Sequence, residues 1–245
     1  LHAADYDGDG YTDLYVVDIN SANHFYKNTA GQGFSNVYFQ SGTVDTGVGM
    51  GSIFFDYDND ADLDLFVANG HVYPQIDQAG GGSSYAQADH LFANDKGAFH
   101  LRPNTDIADD PRVSRGSCTI DYDNDGDVDL FVSHLNGRPS LLRNDGGSRN
   151  NWLGIALIGQ TSNKDGIGTR VRLVAGGRTQ FRNALRGSKQ ASRQQHDSAT
   201  ESLQSHSPNS RSSLALQPSP FSRHSRRPST MTKPTATKAL SVVTV

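Results

Sequence analysis

Aspartates at alternate positions are the residues of this sequence whose type and spacing best suit chemistry. The stretch DYDNDGDVDLFV, residues 121–132, places five of them within nine positions and then continues with three apolar residues. Two carboxylates about 4 Å apart repel each other by roughly 1 kcal/mol even in water. A divalent cation reverses the sign of each interaction, and Ca²⁺ takes 6–8 oxygen ligands from carboxylates and backbone carbonyls. The spacing therefore predicts a calcium-binding loop.

The same twelve-residue pattern occurs three times, at residues 5–16, 56–67 and 121–132, in the frame D-Y-D-x-D-x-x-x-D-L-[YF]-V. In a curled loop, the side chains at positions 1, 3, 5 and 9 and the backbone carbonyl at position 7 can surround one ion. The predicted metal ligands are therefore Asp5, Asp7, Asp9, the Tyr11 carbonyl and Asp13; Asp56, Asp58, Asp60, the Asp62 carbonyl and Asp64; and Asp121, Asp123, Asp125, the Asp127 carbonyl and Asp129.

Position 6 of the loop is where the chain must turn sharply, and a positive φ is expected there. Gly10 and Gly126 occupy it in the first and third copies, whereas the second copy has Ala61, which predicts strain or a weaker site. The loops are not EF-hands, since position 12 is valine within a strand rather than glutamate. Mg²⁺ and Zn²⁺ suit this donor set less well. A solvated acidic turn without metal is the alternative, and three copies with the same positions filled argue against it.

Short β-strands must position these loops. LYVVD, LFVAN and LFVSH follow the aspartates and are rich in β-branched and aromatic residues. An apolar-x-Asn step follows each copy, ending at Asn28, Asn94 and Asn144. The copies start 51 and 65 residues apart, and the longer interval contains an insertion around residues 71–89. A period near 50 in a β-rich chain predicts an all-β fold, with a partial β-propeller of about three blades.

The acidic loops and the strands after them resemble the FG-GAP repeats, also called VCBS repeats, of integrin-α-like propellers; the resemblance spans residues 1–147 and implies calcium binding. Residues 148–188 resemble the start of an ASPIC/UnbV domain of the cartilage acidic protein-like family. The matching residues are Asn151, Trp152, Leu153, Ser162, Asn163, the Gly166–Ile167–Gly168 turn and Val171. The stretches WLGIALIG and TRVRLVAGG within this segment read as two β-strands.

The composition changes abruptly after Gly187. Residues 189–245 contain no glycine and are rich in serine, arginine and proline. This departure from the family pattern predicts a reading-frame shift; a genuine disordered basic tail is the alternative. Both predict that the segment lacks a packed core. Only four residues precede Asp5, and three blades do not close a ring, so we expect a C-terminal fragment of a longer propeller.

Charge and cysteine content exclude several classes of protein. Residues 1–187 hold 24 acidic and 14 basic residues, and this net negative charge disfavours nucleic-acid binding. No apolar run is long enough to predict a membrane span. Cys118 is the single cysteine, so an internal disulfide and a cysteine-based zinc site are excluded. We expect Cys118 to be buried, because Ile53 occupies the corresponding position in the second copy.

Two classes of function remain. The first is a non-enzymatic calcium-binding scaffold, extracellular, on the cell surface or periplasmic, that binds a protein or a glycan. Its insertion at residues 71–89, with Tyr73 and Tyr85, is either the contact surface or a spacer. The second is a propeller-type polysaccharide lyase or hydrolase, or an accessory domain of such an enzyme. Scattered histidines and the absence of G-x-S-x-G, H-E-x-x-H and P-loop motifs favour the scaffold.

Overall fold

The computed structural model describes residues 1–79, 82–103, 107, 110–147, 152–158, 165–175, 178–184, 202–207, 210–214 and 238–244. The chain divides into two compact units, Leu1–Gly147 and Ser148–Val245. Nearly all regular structure in the described residues is β-strand, and the one α-helix, α1, is a single turn at Tyr38–Ser41. The predicted all-β class is confirmed.

The described residues of the first unit form three antiparallel sheets, each built from strands that are consecutive in the chain. Sheet 1 comprises β1 (His2–Ala4), β2 (Asp13–Val16), β3 (His24–Asn28) and β4 (Phe34–Asn36). Sheet 2 comprises β5 (Gly49–Phe55), β6 (Asp64–Asn69), β7 (His90–Asp95) and β8 (Ala98–Leu101). Sheet 3 comprises β9 (Ser114–Ile120), β10 (Asp129–His134) and β11 (Ser140–Leu142). The described strands do not form a closed propeller.

Each acidic loop joins the first and second strands of its sheet. The second strand begins at the ninth-position aspartate in all three sheets, at Asp13, Asp64 and Asp129. The apolar residues at positions 10 to 12 alternate between the two faces of that strand, because successive side chains of a strand point to opposite sides. A hairpin with an acidic tip and an apolar stem therefore recurs three times, as the sequence pattern predicts.

Two apolar clusters lie between successive sheets. The first joins sheets 1 and 2 through residues that include Tyr15, Phe25, Leu65 and Phe92, each no more than 1 % exposed. The second joins sheets 2 and 3. Its buried members are Phe55, Phe66, Ala68, Leu91, Leu130 and Val132. Full burial of one such side chain stabilises the fold by roughly 1.5–3 kcal/mol, so these clusters hold the three sheets together.

Cys118 is exposed, so the prediction that it is buried is wrong. Its counterpart Ile53 is partly buried and packs against the second apolar cluster. The two residues differ in burial because their sheets have different neighbours. Sheet 3 covers the face of sheet 2 that carries Ile53, whereas the corresponding face of sheet 3, which carries Cys118, is exposed.

The insertion after sheet 2's second strand folds back on itself in its described part. A 3₁₀ turn spans Pro74–Gln78, and the amide of His71 donates to the Tyr85 carbonyl at 3.0 Å. The Tyr85 amide in turn donates to Asp77 Oδ1 at 2.8 Å. Residues 80 and 81 of the glycine run lie outside the described residues.

Six further strands lie among the described residues of the second unit. They are β12 (Trp152–Ile158), β13 (Arg170–Ala175), β14 (Arg178–Asn183), β15 (Ser202–Ser207), β16 (Ser210–Leu214) and β17 (Lys238–Thr244). The strands β12 and β13 lie where the sequence predicted two strands, and Leu153, Ile155, Val171 and Leu173 form a buried cluster. Most of residues 189–245 lies outside the described residues, so the predicted frameshifted or disordered tail stays a prediction.

Candidate metal centre

Three carboxylates converge in each acidic loop. They come from positions 1, 3 and 9, and one oxygen from each lies within 4.8 Å of the other two. The three groups are Asp5, Asp7 and Asp13; Asp56, Asp58 and Asp64; and Asp121, Asp123 and Asp129. Oxygens bound to one Ca²⁺ at 2.3–2.6 Å lie at most about 5 Å apart, so each group fits a single calcium ion. The donors are all oxygen, which suits this ion rather than Zn²⁺.

The ninth-position aspartate is held by two backbone amides. In the first loop, Asp13 Oδ1 accepts from the Asn28 amide at 2.8 Å and Oδ2 accepts from the Tyr6 amide at 3.3 Å. The other loops repeat both bonds, at Asp64 and Asp129. These bonds orient the carboxylate, and the second lone pair of each oxygen stays available to a cation.

Burial raises the pKa of all three ninth-position carboxyls. The pKa of Asp13 rises to about 7 because desolvation outweighs its two backbone hydrogen bonds. Burial also raises the pKa of Asp64 well above its usual range and that of Asp129 to a smaller extent. Neighbouring loop carboxylates raise these pKa values further. A cation at the convergence point would favour the ionised form of each group.

The carboxylates at position 5 form hydrogen bonds within the tip of the loop. Each accepts the backbone amide of position 7, at 2.8 Å for Asp9, 2.9 Å for Asp60 and 3.1 Å for Asp125. These bonds close a tight turn at the loop tip. The position 5 side chains are not members of the three-carboxylate groups. Their role as ligands, like that of the carbonyls of Tyr11, Asp62 and Asp127, stays a prediction.

Two positions of each loop adopt the left-handed backbone conformation. At position 6, φ is +92° at Gly10, +84° at Ala61 and +100° at Gly126. The predicted strain at Ala61 follows, because a Cβ in this region costs roughly 1–2 kcal/mol. The sequence reasoning missed position 4, where φ is +71° at Gly8, +56° at Asn59 and +58° at Asn124. Glycine and asparagine tolerate this conformation better than other residues. Their presence at position 4 of every loop was the sequence signal from which the positive φ could have been predicted.

The recurring asparagine after each loop is a functional residue whose role the sequence reasoning missed. Its Nδ2 donates to the carbonyl at position 8 of its own loop, at 3.1 Å for Asn28 to Thr12 and 2.9 Å for Asn94 to Leu63. Asn144 makes the same bond to the Val128 carbonyl. Its backbone amide is the one that holds the ninth-position carboxylate. The fixed spacing of 23 residues from the first aspartate in copies one and three was the signal.

The first loop already contains a protein cation. The ammonium of Lys27 contacts Asp7 Oδ2 and lies 3.8 Å from Asp9 Oδ2. The hydrogen bond to Asp7 raises the pKa of Lys27. The corresponding residues of the other copies differ: Ala93 is uncharged, and Arg143 pairs with Asp145 outside the loop. The first loop is therefore electrostatically distinct from the other two.

A serine, a histidine and an aspartate meet at the opposite ends of these strands. Ser114 Oγ donates to Asp89 Oδ2 at 2.9 Å and lies 3.0 Å from His134 Nδ1. The aspartate contacts the serine rather than the histidine, and Ser114 is fully buried. This order does not match a nucleophile–base–orienter relay, in which the base lies between the other two. The cluster ties sheet 2 to sheet 3 through buried polar bonds.

The comparisons with known proteins support the repeat assignment for part of the chain. A family model described as an FG-GAP-like repeat matches residues 5–67, which include the first two acidic loops. FG-GAP-like repeats are typical of β-propeller-type extracellular domains and commonly bind calcium. The match offers no support for a VCBS repeat or an ASPIC/UnbV domain. A search of curated proteins found no match. No helix among the described residues has the length and apolarity that a membrane crossing requires.

Proposed function

We propose that residues 1–147 form part of a calcium-binding β-propeller scaffold. The observation that carries the proposal is the convergence of three carboxylate oxygens within 4.8 Å in each of three hairpin loops. One such group on its own could be explained as a solvated acidic turn that binds no metal. Three groups built from the same loop positions and held by the same amide bonds favour a common ligand. The oxygen-only donor set favours Ca²⁺ as that ligand.

The energetics of the loops support the same function. Asp13, Asp64 and Asp129 are no more than 1 % exposed, and each lies beside two further carboxylates. Buried carboxylates are costly unless they are paired or bind a metal. A bound ion offsets this cost and fixes the hairpin tip against its strands. Calcium is thus proposed as a structural ion that stabilises the sheets rather than as a catalytic one.

The partner is proposed to be an extracellular protein or glycan, and the location extracellular, on the cell surface or periplasmic. Calcium sites of this kind suit compartments rich in the ion. The insertion offers an exposed aromatic surface, since Tyr73 is 67 % exposed and its ring lies 5.8 Å from that of His71. We propose a binding role without catalysis, and we propose that residues 148–188 begin an ASPIC/UnbV-like domain.

Calcium titration of the full chain tests the proposal. Isothermal calorimetry should detect three sites, and EGTA should lower the melting temperature. Each site stabilises the fold by about 2.7 kcal/mol when free calcium is 100 times its Kd. Asp129→Ala should remove one site. Asp110→Ala is the matched control, because Asp110 pairs with Arg112 on the surface and belongs to no loop.

The result that would overturn the proposal is equally definite. A folded protein that takes up no calcium in the calorimeter, and whose melting temperature is the same in calcium and in EGTA, does not have these sites. Loss of a site in Asp110→Ala as well as in Asp129→Ala would also contradict the assignment of the loop carboxylates as ligands.

A further inference from the structure

Lys27 on β3 places its ammonium among the carboxylates of the first acidic loop. The ammonium contacts Asp7 Oδ2, lies 3.8 Å from Asp9 Oδ2 and is 5.9 Å from the centroid of the Tyr6 ring. At that distance a cation is attracted to the face of an aromatic ring. Two carboxylates and one ring therefore surround the ammonium, so the first loop holds a positive charge that belongs to the protein itself.

The groups around the ammonium are anchored in the fold. Tyr6 is 7 % exposed and belongs to the first apolar cluster, where its ring lies 4.6 Å from that of Phe25 and 5.7 Å from that of Phe99. The residue after Lys27 is Asn28, whose backbone amide donates to the ninth-position carboxylate. Exposed ion pairs are weak because two long side chains must be ordered, whereas here the ring and the strand are already fixed.

The ammonium and a calcium ion compete for the same carboxylate. Asp7 is the third-position member of the three-carboxylate group of the first loop. Its Oδ1 accepts from the Asp9 amide at 3.2 Å, and its Oδ2 contacts the ammonium of Lys27. A calcium ion bound to Asp7 would lie within about 6 Å of the ammonium, where two positive charges repel each other. Binding of either cation therefore weakens binding of the other.

The first loop also has less negative charge to offset than the other two. It carries four aspartates, because position 7 is Tyr11, whereas the second and third loops carry five each. With Lys27 its formal charge is −3, against −5 for each of the other loops. The residues equivalent to Lys27 are Ala93, which is uncharged, and Arg143, which pairs with Asp145 outside its loop.

We propose that Lys27 is a built-in substitute for calcium: its ammonium occupies the first loop when calcium is absent and is displaced when calcium binds there. The proposal rests on the proposed function, since it concerns the regulation of one of the three calcium sites. The first loop then depends less on calcium for its stability than the second and third loops do. It also requires a higher calcium concentration than it would without Lys27.

A reversal in the effect of Lys27→Met on the melting temperature tests the proposal. Methionine keeps an apolar stem against Tyr6 and removes the charge. In EGTA, Lys27→Met should lower the melting temperature of the full chain by about 2–4 °C, because the loop carboxylates then repel one another without a counter-ion. In saturating calcium the same variant should raise the melting temperature, because the ion no longer displaces an ammonium.

Lys96→Met is the matched control for this reversal. The Lys96 side chain is 73 % exposed and pairs with the exposed Asp95. Its replacement should have the same small effect in EGTA and in calcium. A lysine with a purely structural role would differ from both expectations, since its loss lowers the melting temperature equally in the two conditions.

A crosslinking measurement tests the displacement directly. A carbodiimide, which joins an amine to a carboxylate that it contacts, should link Lys27 to Asp7 in EGTA, and mass spectrometry of the digest detects the linked peptide. Saturating calcium should suppress this link, because the ion takes the carboxylate from the ammonium. The link between Lys96 and Asp95, whose charged groups lie 3.5 Å apart on the surface, should form equally in both conditions.

Calcium uptake by the same samples separates failure of this proposal from failure of the proposed function. If the protein takes up calcium but the Lys27–Asp7 link is unchanged, or Lys27→Met lowers the melting temperature equally in EGTA and in calcium, displacement of Lys27 is wrong and the calcium sites stand. A folded protein that takes up no calcium removes both.

Discussion

Asn94 Nδ2 donates to the backbone carbonyl of Tyr6 at 3.0 Å, across 88 positions of sequence. The same amide donates to the Leu63 carbonyl at 2.9 Å, and Asn94 Oδ1 accepts from the Gly97 amide at 2.7 Å. One buried side chain therefore ties the second acidic loop, the first acidic loop and a neighbouring turn together. The acidic tips of adjacent sheets are mechanically linked through it.

Replacing Asn94 with alanine should destabilise the first unit by roughly 2–4 kcal/mol, since it removes these three bonds and leaves buried carbonyls without a donor. Asn28→Ala is the matched control, because among the described residues the Asn28 side chain bonds to Thr12 and Gly31 and reaches no second acidic loop. Urea unfolding in calcium should show a larger loss for Asn94→Ala, by about 1 kcal/mol or more. Equal losses would contradict a role for Asn94 between loops.

Relief of backbone strain is expected at Ala61. Ala61→Gly should stabilise the protein by about 1 kcal/mol, because glycine adopts the observed φ of +84° without a Cβ clash. The reciprocal change, Gly126→Ala at φ +100°, should destabilise by a similar amount. Thermal melts of both variants check the pair. A stabilising effect of Gly126→Ala would show that the loop relaxes out of the left-handed region.

Removal of the internal cation should strengthen calcium binding at the first loop. An ion at Asp7 must displace the ammonium of Lys27 or accept its repulsion. We expect Lys27→Met to lower the Kd of the first-loop site roughly tenfold, which corresponds to 1.4 kcal/mol. Arg143→Met is the control, since Arg143 pairs with Asp145. Calorimetric titration that finds no change in Lys27→Met would contradict competition between the ammonium and the ion.

The free energy of unfolding should depend on pH through the titration of Asp89. Burial raises the pKa of Asp89 to about 6 from its ordinary value of 3.8, although bonds from the Asn69 amide and the Ser114 hydroxyl oppose the shift. The folded state therefore binds this proton more tightly than the unfolded state. Its contribution to stability is present at low pH and declines as pH rises from about 4 to about 6, by up to about 3 kcal/mol.

Asp89→Asn should abolish that decline. The measurement is urea unfolding between pH 4 and pH 7 in saturating calcium, so that the loop carboxylates are ionised throughout and cancel in the comparison. The wild type should lose stability relative to Asp89→Asn across this range. Parallel curves for the two proteins would show that Asp89 keeps an ordinary pKa in the folded state.

Sequence reasoning located the loops well because their chemistry is local. The alternation of Asp5, Asp7 and Asp13 lies within nine residues, and such spacing almost determines which side chains can meet at a hairpin tip. The turn at position 6 was predictable for the same reason. The contact between Lys27 and Asp7 was not, because it depends on where β3 lies beside the loop.

The sequence by itself determined three acidic hairpins in an all-β chain, since ligand spacing and strand alternation are properties of short segments. Only the tertiary structure decided that Asn94 reaches Tyr6, and that Cys118 and Phe131 are exposed while Ile53 and Phe66 are covered. Identical repeat positions acquire different burial because burial is set by the neighbouring sheet. That neighbour belongs to another copy of the repeat, about 50 residues away in the chain.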